Sequence, residues 1–508
     1  MEYGFIIDNQ RCIGCHACTV ACKAEHQIPL GNFRTWVKHV EKGAFPEVRR
    51  HFTVLRCNHC RDAPCVTICP TRALFQRRDG IVDFDSAQCI GCRACMAACP
   101  YDAIHIDPER RTAAKCNFCA HKVEVGIEPP CVSVCPEKAI VAGDLSNPHS
   151  RISGLLALSQ VSVRKPEKGT RPRVYYIAGD AVGLTPEAAT HPGTYAWAAR
   201  RGDGKAPAGP LDSAQPASRV DYDVSHETPW GFPLALCLWA KSIAAGPILV
   251  AALLMLMRIA RAPILFGLYA PLMAVGMTLA TVLLLVGDLR RPEKFLKILF
   301  HPNPRSWLVW GANILTAYFA VTLLWFLAGL AGLGDVITLL LWPGLVLSAM
   351  TAGYSAFLLA QARGRDLWQS RLLFPHMLVQ AFLAGSSTLV VGAVLFGSGR
   401  LLSEFLMRCL LGSLCVHGLL VLGETALPHG TEAGNGAARY ILHGPLSPCF
   451  WAGAVLVGIV IPVNLLAFYF AGPSLGRSLG VLAPSLALAG LLFYQYCYVR
   501  AGQALPLS

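Results

Sequence analysis

From Trp230 onward, long apolar runs alternate with short polar connections. Eight of these runs have about 20 residues, the length that a helix needs to cross a bilayer. They lie near residues 233–257, 264–286, 308–332, 336–360, 374–397, 401–423, 449–471 and 479–499. A backbone in lipid must satisfy its own hydrogen bonds. We therefore predict that residues 230–508 form an all-α bundle of eight transmembrane helices.

Before Trp230 the apolar stretches are short, and they lie beside groups of cysteines. They predict strands near residues 5–8, 80–85, 103–107 and 138–141. We predict an α+β head over residues 1–178, built by repeating a strand, a cysteine loop, a short helix and a strand. Residues 179–229 are rich in Ala, Gly, Pro, Asp and Ser, with strong turn signals at 200–210, which is typical of a linker. We expect this linker to run along the membrane surface.

The composition agrees with this division. Hydrophobic residues make up 54% of the chain and charged residues only 15%, a balance that is unusual for a soluble protein. Most of the charge precedes Trp230, which indicates a soluble head joined to a membrane domain. The net charge of +13 would suit a nucleic-acid partner. We exclude that class, because no basic surface interleaved with aromatic residues appears and part of the charge lies between the spans.

The loop charges predict the orientation of the bundle. The loops on the head side and the tail hold ten Arg and Lys residues: Arg290, Arg291, Lys294, Lys297, Arg305, Arg363, Arg365, Arg371, Arg439 and Arg500. The opposite loops hold four: Arg258, Arg261, Arg400 and Arg477. The positive-inside rule then places the head in the cytoplasm, on the inner (cytoplasmic) membrane. The first residues also show no signal-peptide pattern. A periplasmic head, exported on a partner subunit, is the alternative.

Sixteen cysteines form four groups in the head. The first and third groups share the spacing C-x2-C-x2-C-x3-C and comprise Cys12, Cys15, Cys18 and Cys22, and Cys89, Cys92, Cys95 and Cys99. The second group has the spacing C-x2-C-x4-C-x3-C and comprises Cys57, Cys60, Cys65 and Cys69. The fourth has eleven residues before its third thiol and comprises Cys116, Cys119, Cys131 and Cys135. This is the bacterial ferredoxin signature, repeated, and it predicts cubane [4Fe–4S] clusters.

The spacing also indicates how the groups combine. Two-residue gaps let one loop bind three irons, while the last cysteine of a group serves a different cluster. We therefore predict two ferredoxin-like, pseudo-twofold pairs and four [4Fe–4S] clusters. The middle groups are 19 residues apart, a natural ferredoxin gap, so we pair them and leave the first group for the last. The sequence alone leaves this pairing open. Disulfides and zinc explain the spacing less well, since neither needs all four thiols of a group.

Polar residues within apolar spans are costly and often functional. Lys241 lies in the first span, Asp288 ends the second and Tyr354 lies in the fourth. With His226 and Trp230, which precede the first span, they are our candidates for a quinone site at the head-facing side. The alternatives are that Lys241 snorkels or pairs locally, that Asp288 is an ordinary loop residue and that Tyr354 packs at the interface.

The sixth span carries four more ionisable residues. Glu404 and Arg408 are four apart and are predicted to pair with each other. His417 and Glu424 are seven apart, so they share a face, nearly opposite that pair, where a local role in proton handling is possible. A di-haem bundle would need histidine ligands within the spans, and in the sequence only His417 lies deep in one, so we do not expect haem.

These motifs resemble two known families. The head resembles the four-cluster iron–sulfur subunits of the dimethyl sulfoxide reductase family of molybdoenzymes over residues 3–178. The stretches that carry this resemblance are residues 12–18, 57–60, 89–95 and 115–119. The membrane half is similar to the eight-helix NrfD/polysulfide reductase subunits. Its matching stretches are residues 229–231, 241–246, 287–293, 306–307 and 354–368. The two families usually occur as separate chains, so this chain looks like a natural fusion.

The resemblance implies four ligand sets, which agree with the pairing above. One cluster takes Cys12, Cys15, Cys18 and Cys135, and another takes Cys116, Cys119, Cys131 and Cys22. A third takes Cys57, Cys60, Cys65 and Cys99, and the last takes Cys89, Cys92, Cys95 and Cys69. The resemblance further implies a separate molybdopterin-containing catalytic subunit, and electron exchange with menaquinone or ubiquinone in the membrane half.

We therefore predict an electron-transfer and membrane-anchor subunit of an oxidoreductase, non-catalytic for the primary substrate. The substrate stays open among sulfite, polysulfide, thiosulfate, tetrathionate, dimethyl sulfoxide and arsenic oxyanions, and a cytoplasmic head favours a complex that oxidises its substrate, as a sulfite dehydrogenase does. The alternative is an energy-converting module that couples quinone chemistry to proton movement, with a hydrogenase or respiratory complex as partner. A third interpretation makes the bundle a passive anchor.

Overall fold

The chain folds into two compact units. The computed structural model describes residues 1–43, 46–190, 218–472 and 476–508. One unit comprises Met1–Glu227 with Pro506–Ser508, and the other comprises Thr228–Leu505. The turn signals predicted at residues 200–210 lie outside the described residues.

The first unit is the predicted α+β head. Its strands, in chain order, are β1 (Tyr3–Asp8), β2 (Thr35–Lys42), β3 (Arg49–Arg56), β4 (Leu74–Gln76), β5 (Val82–Phe84), β6 (Ile104–Ile106), β7 (Ala113–Lys115), β8 (Ile140–Asp144), β9 (Val161–Ser162), β10 (Val174–Ile177) and β11 (Ser218–Tyr222). Its helices are α1 (Ala17–His26), α2 (Pro64–Ile68), α3 (Ala94–Ala98), α4 (Ala120–Val123), α5 (Pro130–Ser133), α6 (Arg151–Leu158) and α7 (Ala181–Leu184). The four strands predicted from the sequence are confirmed by β1, β5, β6 and β8.

Strand pairing brings the cysteine groups together in twos. The largest sheet has the order β8-β1-β10-β9, and β1 is antiparallel to β8 with Ile7 opposite Ile140. Because β1 leads into the first cysteine group and β8 follows the fourth, this pairing brings those two groups side by side. The β4-β5 hairpin connects the second group to the third. Accordingly α1 packs against α5, and α2 packs against α3.

A second sheet extends the head beyond its predicted end. It has the order β11-β2-β3, and β11 pairs with β2 in antiparallel fashion. We predicted a linker from residue 179 to 229, whereas residues 179–190 and 218–227 belong to the head unit. The physical reason is that β11 supplies the hydrogen bonds that one edge of β2 needs, a long-range pairing that local composition does not reveal.

The second unit is helical. Its helices are α8 (Phe232–Leu256), α9 (Ala270–Gly287), α10 (Lys297–Phe300), α11 (Trp307–Leu330), α12 (Gly334–Ala360), α13 (Leu373–Phe396), α14 (Arg400–Ala426), α15 (Glu432–Leu442), α16 (Ile461–Ala471) and α17 (Gly476–Ala501). The π-helical segments Pro263–Tyr269 and Cys449–Val460 run directly into α9 and α16. Among the described residues, eight helical segments are long and apolar enough to cross a membrane, which confirms the eight predicted spans. This is a multi-pass membrane protein.

Helix α8 is the most enclosed of these spans, since 83% of the residues in its 18-residue apolar stretch are buried, against 28% for the span Pro263–Gly287. It contacts α9, α12, α13 and α17. Helices α8 and α13 cross at two glycines, because a Cβ atom at Gly246 would overlap the carbonyl oxygen of Ala381 and the backbone nitrogen of Gly385. Small residues permit such close approach between membrane helices. The crossing places the polar side chains of α8 next to those of α13.

Candidate cluster sites and buried polar sites

Three cavities in the head are each lined by cysteines from two groups. The cysteines that line the first are Cys12, Cys15, Cys18 and Cys135. Those that line the second are Cys22, Cys116, Cys119 and Cys131. Those that line the third are Cys69, Cys89, Cys92 and Cys95. Each cavity thus contains the thiols of one predicted ligand set, and none of these cysteines is in a disulfide.

The fourth predicted set also lies together. Burial raises the pKa of the Cys60 thiol, and the neighbouring Cys57 and Cys99 thiolates raise it further. Burial also raises the pKa of the Cys65 thiol, and the thiolates of Cys57 and Cys99 raise it further. Electrostatic effects of this kind act at short range, so Cys57, Cys60, Cys65 and Cys99 lie close together. Which thiols share a cluster nevertheless stays our prediction.

The cysteine loops repeat one backbone conformation. In the first group Gly14 and His16 have φ angles of 71° and 60°, and in the third group the equivalent Gly91 and Arg93 have 70° and 61°. Glycine adopts this left-handed region freely, whereas His16 and Arg93 are held there by their surroundings. At Gly14 a side chain is also excluded, because a Cβ atom would lie 2.5 Å from the Phe52 ring. These turns aim successive thiols into one cavity.

Backbone N–H groups stabilise the sulfur atoms. The nitrogen of Ala139 donates to Sγ of Cys135 at 3.3 Å, and the nitrogens of Gly91 and Ala113 each donate to Sγ of Cys89 at 3.4 Å. Such bonds favour the thiolate, and in iron–sulfur proteins they raise the reduction potential of the cluster. Burial opposes the thiolate, raising the pKa of Cys18 to about 11 and that of Cys22 to about 12. Bound iron offsets that cost, because a coordinated thiol is deprotonated.

One fully buried cation lies among these thiols. Arg56 has no exposed surface, and its Nη1 donates to Sγ of Cys131 at 3.3 Å. Burial would lower the pKa of Arg56, but the thiolates of Cys131, Cys116 and Cys18 outweigh burial and raise it. Its Nε and Nη2 atoms are buried without a hydrogen-bond partner among the described residues. Unused donors beside four thiols fit an anionic cluster whose sulfur atoms accept hydrogen bonds.

In the membrane unit, the structure brings three of the five predicted quinone residues into one neighbourhood. Lys241 is buried, and its Nζ donates to the carbonyl oxygen of Ala352 at 3.0 Å and to Oγ of Ser355 at 2.5 Å. The same ammonium lies 4.7 Å from the centre of the Tyr354 ring. Asp288 lies within electrostatic range of Cys237, which is one helical turn before Lys241.

Tyr354 occupies a space that the neighbouring helix leaves open. A Cβ atom at Gly311 would overlap this ring, so only glycine fits there. Ile314 and Leu315 complete the apolar packing around the ring. Two of the alternatives that we considered for these residues are therefore partly correct. Lys241 is paired locally rather than snorkelling, and the ring of Tyr354 packs against apolar residues.

The other two predicted residues have different surroundings. The backbone nitrogen of Trp230 donates to Oε1 of Gln503 at 2.9 Å. His226 belongs to the head unit, where its Nδ1 lies 3.3 Å from Oδ2 of Asp102 and its Nε2 lies 3.2 Å from Oγ of Ser508.

The predicted pairing of Glu404 with Arg408 is wrong. Oε1 of Glu404 accepts a hydrogen bond from Nε of Arg400 at 2.7 Å, which is also four residues away but in the other direction. The guanidinium of Arg408 lies over the Phe470 ring on α16, 5.6 Å from its centre. The i,i+4 spacing fits both arginines equally, and the aromatic ring of a neighbouring helix decides between them.

A second buried polar group contains residues that sequence reasoning missed. His376 on α13 has Nε2 at 2.8 Å from Nδ1 of His417 and Nδ1 at 2.8 Å from Oε2 of Glu424. The hydroxyl of Tyr494 on α17 donates to the same carboxylate oxygen. His417 and Glu424 therefore do share a face, as predicted. His376 lies only three residues after the start of its helix, so its position in the sequence did not indicate a buried residue. In the structure it is completely buried, in contact with side chains of α14 and α17.

Both ring nitrogens of His376 are engaged within this group. Its ring centroid lies 4.9 Å from that of His417. An axial haem ligand needs one ring nitrogen for the iron.

Comparison with known proteins supports the division of the chain into an iron–sulfur head and a membrane bundle. Residues 48–145 match the model of the 4Fe-4S dicluster domain, and residues 222–506 match the model named polysulphide reductase, NrfD. The head is 46% identical over 189 residues to a tetrathionate reductase subunit of Salmonella typhimurium, covering 36% of this chain and 76% of that protein. It is 36% identical over 227 residues to the arsenate respiratory reductase iron–sulfur subunit ArrB of Shewanella sp. strain ANA-3, covering 35% of this chain and 96% of that protein. It is 39% identical over 188 residues to a polypeptide of the polysulfide reductase of Wolinella succinogenes, covering 36% and 97%.

Proposed function

Because this chain belongs to the polysulphide reductase NrfD family and its head to the family of reductase iron–sulfur subunits, we propose that it carries electrons between a catalytic subunit and the membrane quinone pool. The observation that carries the proposal is that one chain holds both four sets of clustered thiols and an NrfD bundle with a buried cation. Its iron–sulfur clusters make it an electron carrier, and its spans make it the membrane anchor of the complex.

We assign four [4Fe–4S] clusters to the head. The support is that three cavities and one further group of mutually interacting thiols contain the sixteen cysteines in the four predicted sets. When bound, the clusters supply one-electron transfer. The chain's own residues deprotonate to bind iron, donate hydrogen bonds to sulfur and, through Arg56, balance the negative charge of the site.

We assign the quinone site to the neighbourhood of Lys241, Tyr354 and Asp288. A quinone site needs an apolar slot and a few polar groups for the two ring carbonyls. Lys241 offers N–H donors, and the surroundings of Tyr354 beside it are apolar. Either menaquinone or ubiquinone fits these requirements. Trp230 and His226 stay predictions for this site.

We infer that the partner is a catalytic subunit that carries molybdopterin. The relatives from Salmonella, Shewanella and Wolinella are by their names components of reductases that have other subunits. The head matches those components over most of their length, which supports the same electron-carrying position in a complex. The substrate of the partner and the direction of electron flow stay open.

The experiment uses the whole chain, purified anaerobically in lipid nanodiscs. We expect about sixteen irons per polypeptide, four for each cubane. Menadiol should then reduce the clusters, as followed by electron paramagnetic resonance. Lys241→Met should slow this reduction by roughly 100-fold, the effect of removing one well-placed donor. Reduction by dithionite should be unchanged in the variant, because it bypasses the quinone site.

The matched control is Lys294→Met, the same change in a loop outside the spans. If menadiol leaves the clusters of the wild-type chain oxidised, the bundle is the passive anchor of the third interpretation. If Lys241→Met and Lys294→Met behave alike, the quinone site lies elsewhere in the bundle.

A second candidate function is favoured by the buried group of His376, His417, Glu424 and Tyr494. An energy-converting module, which couples quinone chemistry to proton movement, needs ionisable groups inside the spans. A simple electron conduit does not need them.

A further inference from the structure

The buried group on α13, α14 and α17 is expensive to maintain in a bilayer. His376, His417, Glu424 and Tyr494 are each at most 3% exposed. Ionisable residues at such positions usually mark a proton or ion pathway. The plain structural interpretation is a hydrogen-bond network that only fixes how three helices pack.

Two observations argue against a purely structural network. In buried networks most polar atoms have a hydrogen-bond partner, and each exception calls for an explanation. Here Oε1 of Glu424 and Oε1 of Gln495 are buried without a partner among the described residues. Among the described residues, His417 forms its hydrogen bond through Nδ1, and its Nε2 has no partner there. The group therefore retains capacity to accept protons.

The hydrogen-bond pattern permits a proton to be taken up without rearrangement. Nδ1–H of His376 donates to the Glu424 carboxylate. When His376 is neutral, its Nε2 accepts from Nδ1–H of His417; when His376 is doubly protonated, the same Nε2 donates to the unprotonated Nδ1 of His417. The 2.8 Å contact survives in both states, and the carboxylate balances the added charge.

Hydrogen bonds join sequence neighbours of this group to the residue that follows Lys241. Gln495 follows Tyr494 directly, and its Nε2 donates to Oε1 of Gln380 at 2.9 Å and to Oγ of Ser242 at 3.4 Å. Gln380 is one helical turn after His376, and Ser242 is the residue after Lys241. The glycine crossing of α8 and α13 is what lets these side chains meet. Residues that neighbour the second buried group in sequence are thus hydrogen-bonded to the residue that follows Lys241.

We propose that His376, His417, Glu424 and Tyr494 form a proton-holding site that exchanges protons with the quinone reaction at Lys241. The proposal rests on the function proposed above. Oxidation of one quinol releases two electrons, which pass to the clusters, and two protons. One proton converts a neutral imidazole of the histidine pair to imidazolium beside the Glu424 carboxylate, and the other leaves to water. Quinone reduction runs the same exchange in reverse.

The neighbouring titratable groups suggest where the proton leaves. Tyr498 stacks 5.9 Å from Tyr494 on the same helix. His429 follows α14, is partly exposed, and its Nε2 lies 2.9 Å from the carbonyl oxygen of Glu424. A partly exposed histidine at the end of α14 therefore contacts the backbone of Glu424, and it is our candidate for the exit of the proton.

The test is infrared difference spectroscopy of the full chain in nanodiscs, recorded as menadiol is oxidised with ferricyanide as the final electron acceptor. We expect carboxyl and imidazole bands that change with the oxidation. Glu424→Gln should remove the carboxyl band and slow cluster reduction by menadiol roughly 100-fold, the lower end of what a positioned proton-transfer group contributes. His376→Gln should remove the imidazole bands, and Tyr494→Phe, which keeps the ring, should shift the carboxyl band.

The matched control is Ser413→Ala on α14, since its buried hydroxyl donates only to its own helix, at the Leu410 carbonyl. It should leave bands and rate unchanged. If Glu424→Gln and Tyr494→Phe both keep the wild-type bands and rate while menadiol still reduces the clusters, the proton-holding site is refuted and the electron conduit stands. If menadiol reduces no clusters in the wild-type chain, both proposals fall together.

Discussion

Arg56 is a cation with no exposed surface, placed among thiols that become anionic when they bind iron. Its guanidinium also lies over the Phe5 ring, 4.4 Å from the centre. A buried charge is tolerated only where opposite charge and hydrogen bonds compensate for lost water. Because reduction adds an electron to the cluster, a fixed positive charge nearby favours the reduced state and raises the reduction potential.

We therefore expect Arg56→Gln to lower the reduction potential of the cluster assigned to Cys22, Cys116, Cys119 and Cys131. The shift should be about 60–120 mV, a ten- to hundredfold change in a one-electron equilibrium. Arg56→Lys keeps the charge and should shift the potential less. Redox titration followed by electron paramagnetic resonance measures both. The control is Arg50→Gln, which removes a half-exposed arginine of the same strand; equal shifts in Arg50→Gln and Arg56→Gln would refute the local effect.

Single residues were predicted well where their chemistry is carried by spacing. The sixteen cysteines were proposed as ligands because each iron needs a thiolate at a fixed interval, and three cavities in the head are each lined by four of these cysteines. His376 was missed because its role depends on the rotation of α13 and α14 about their axes, which a one-dimensional pattern does not contain. Glu404 bonds to Arg400 and not to Arg408 because Arg408 lies over the Phe470 ring of a neighbouring helix, a contact that the i,i+4 spacing does not reveal.

Whole elements were predicted more reliably than their contacts. Eight spans follow from the requirement that a lipid-exposed backbone satisfy itself, and every predicted run corresponds to a helix. Strand β11 was not predicted, because its partner β2 lies far away in sequence and the intervening composition resembles a linker. The crossing of α8 with α13 was likewise invisible, although Gly246 and Gly385 are what permit it.

Gly246→Ala should destabilise the bundle by about 1–3 kcal/mol, the usual cost of overpacking. The reason is that the new methyl group meets backbone atoms of α13, which cannot rotate away. Gly276→Ala is the matched control, since a Cβ atom there has no neighbour within 4 Å and the helix gains propensity. Thermal unfolding in detergent compares the two variants. Equal midpoints would show that the crossing tolerates side chains.

At the scale of the whole molecule, an even number of spans returns the chain to the side from which it entered. The last three residues, Pro506–Ser508, belong to the head unit, as this requires. Ser508 accepts a hydrogen bond at its carbonyl oxygen from Nζ of the buried Lys38 at 3.0 Å. Both ends of the membrane domain therefore lie on one side of the bilayer, and the charges of the loops on that side decide which compartment it faces.

We propose that this side is the cytoplasm, because its loops and tail hold ten Arg and Lys residues against four in the opposite loops. In sealed vesicles, proteinase K should digest the head when the vesicles are inverted and spare it when they are right side out. Permeabilised vesicles of both kinds serve as the control and should lose the head equally. Digestion confined to right-side-out vesicles would place the head in the periplasm. Export on a folded partner would then have overridden the loop charges, and a complex that reduces its substrate would become the better match.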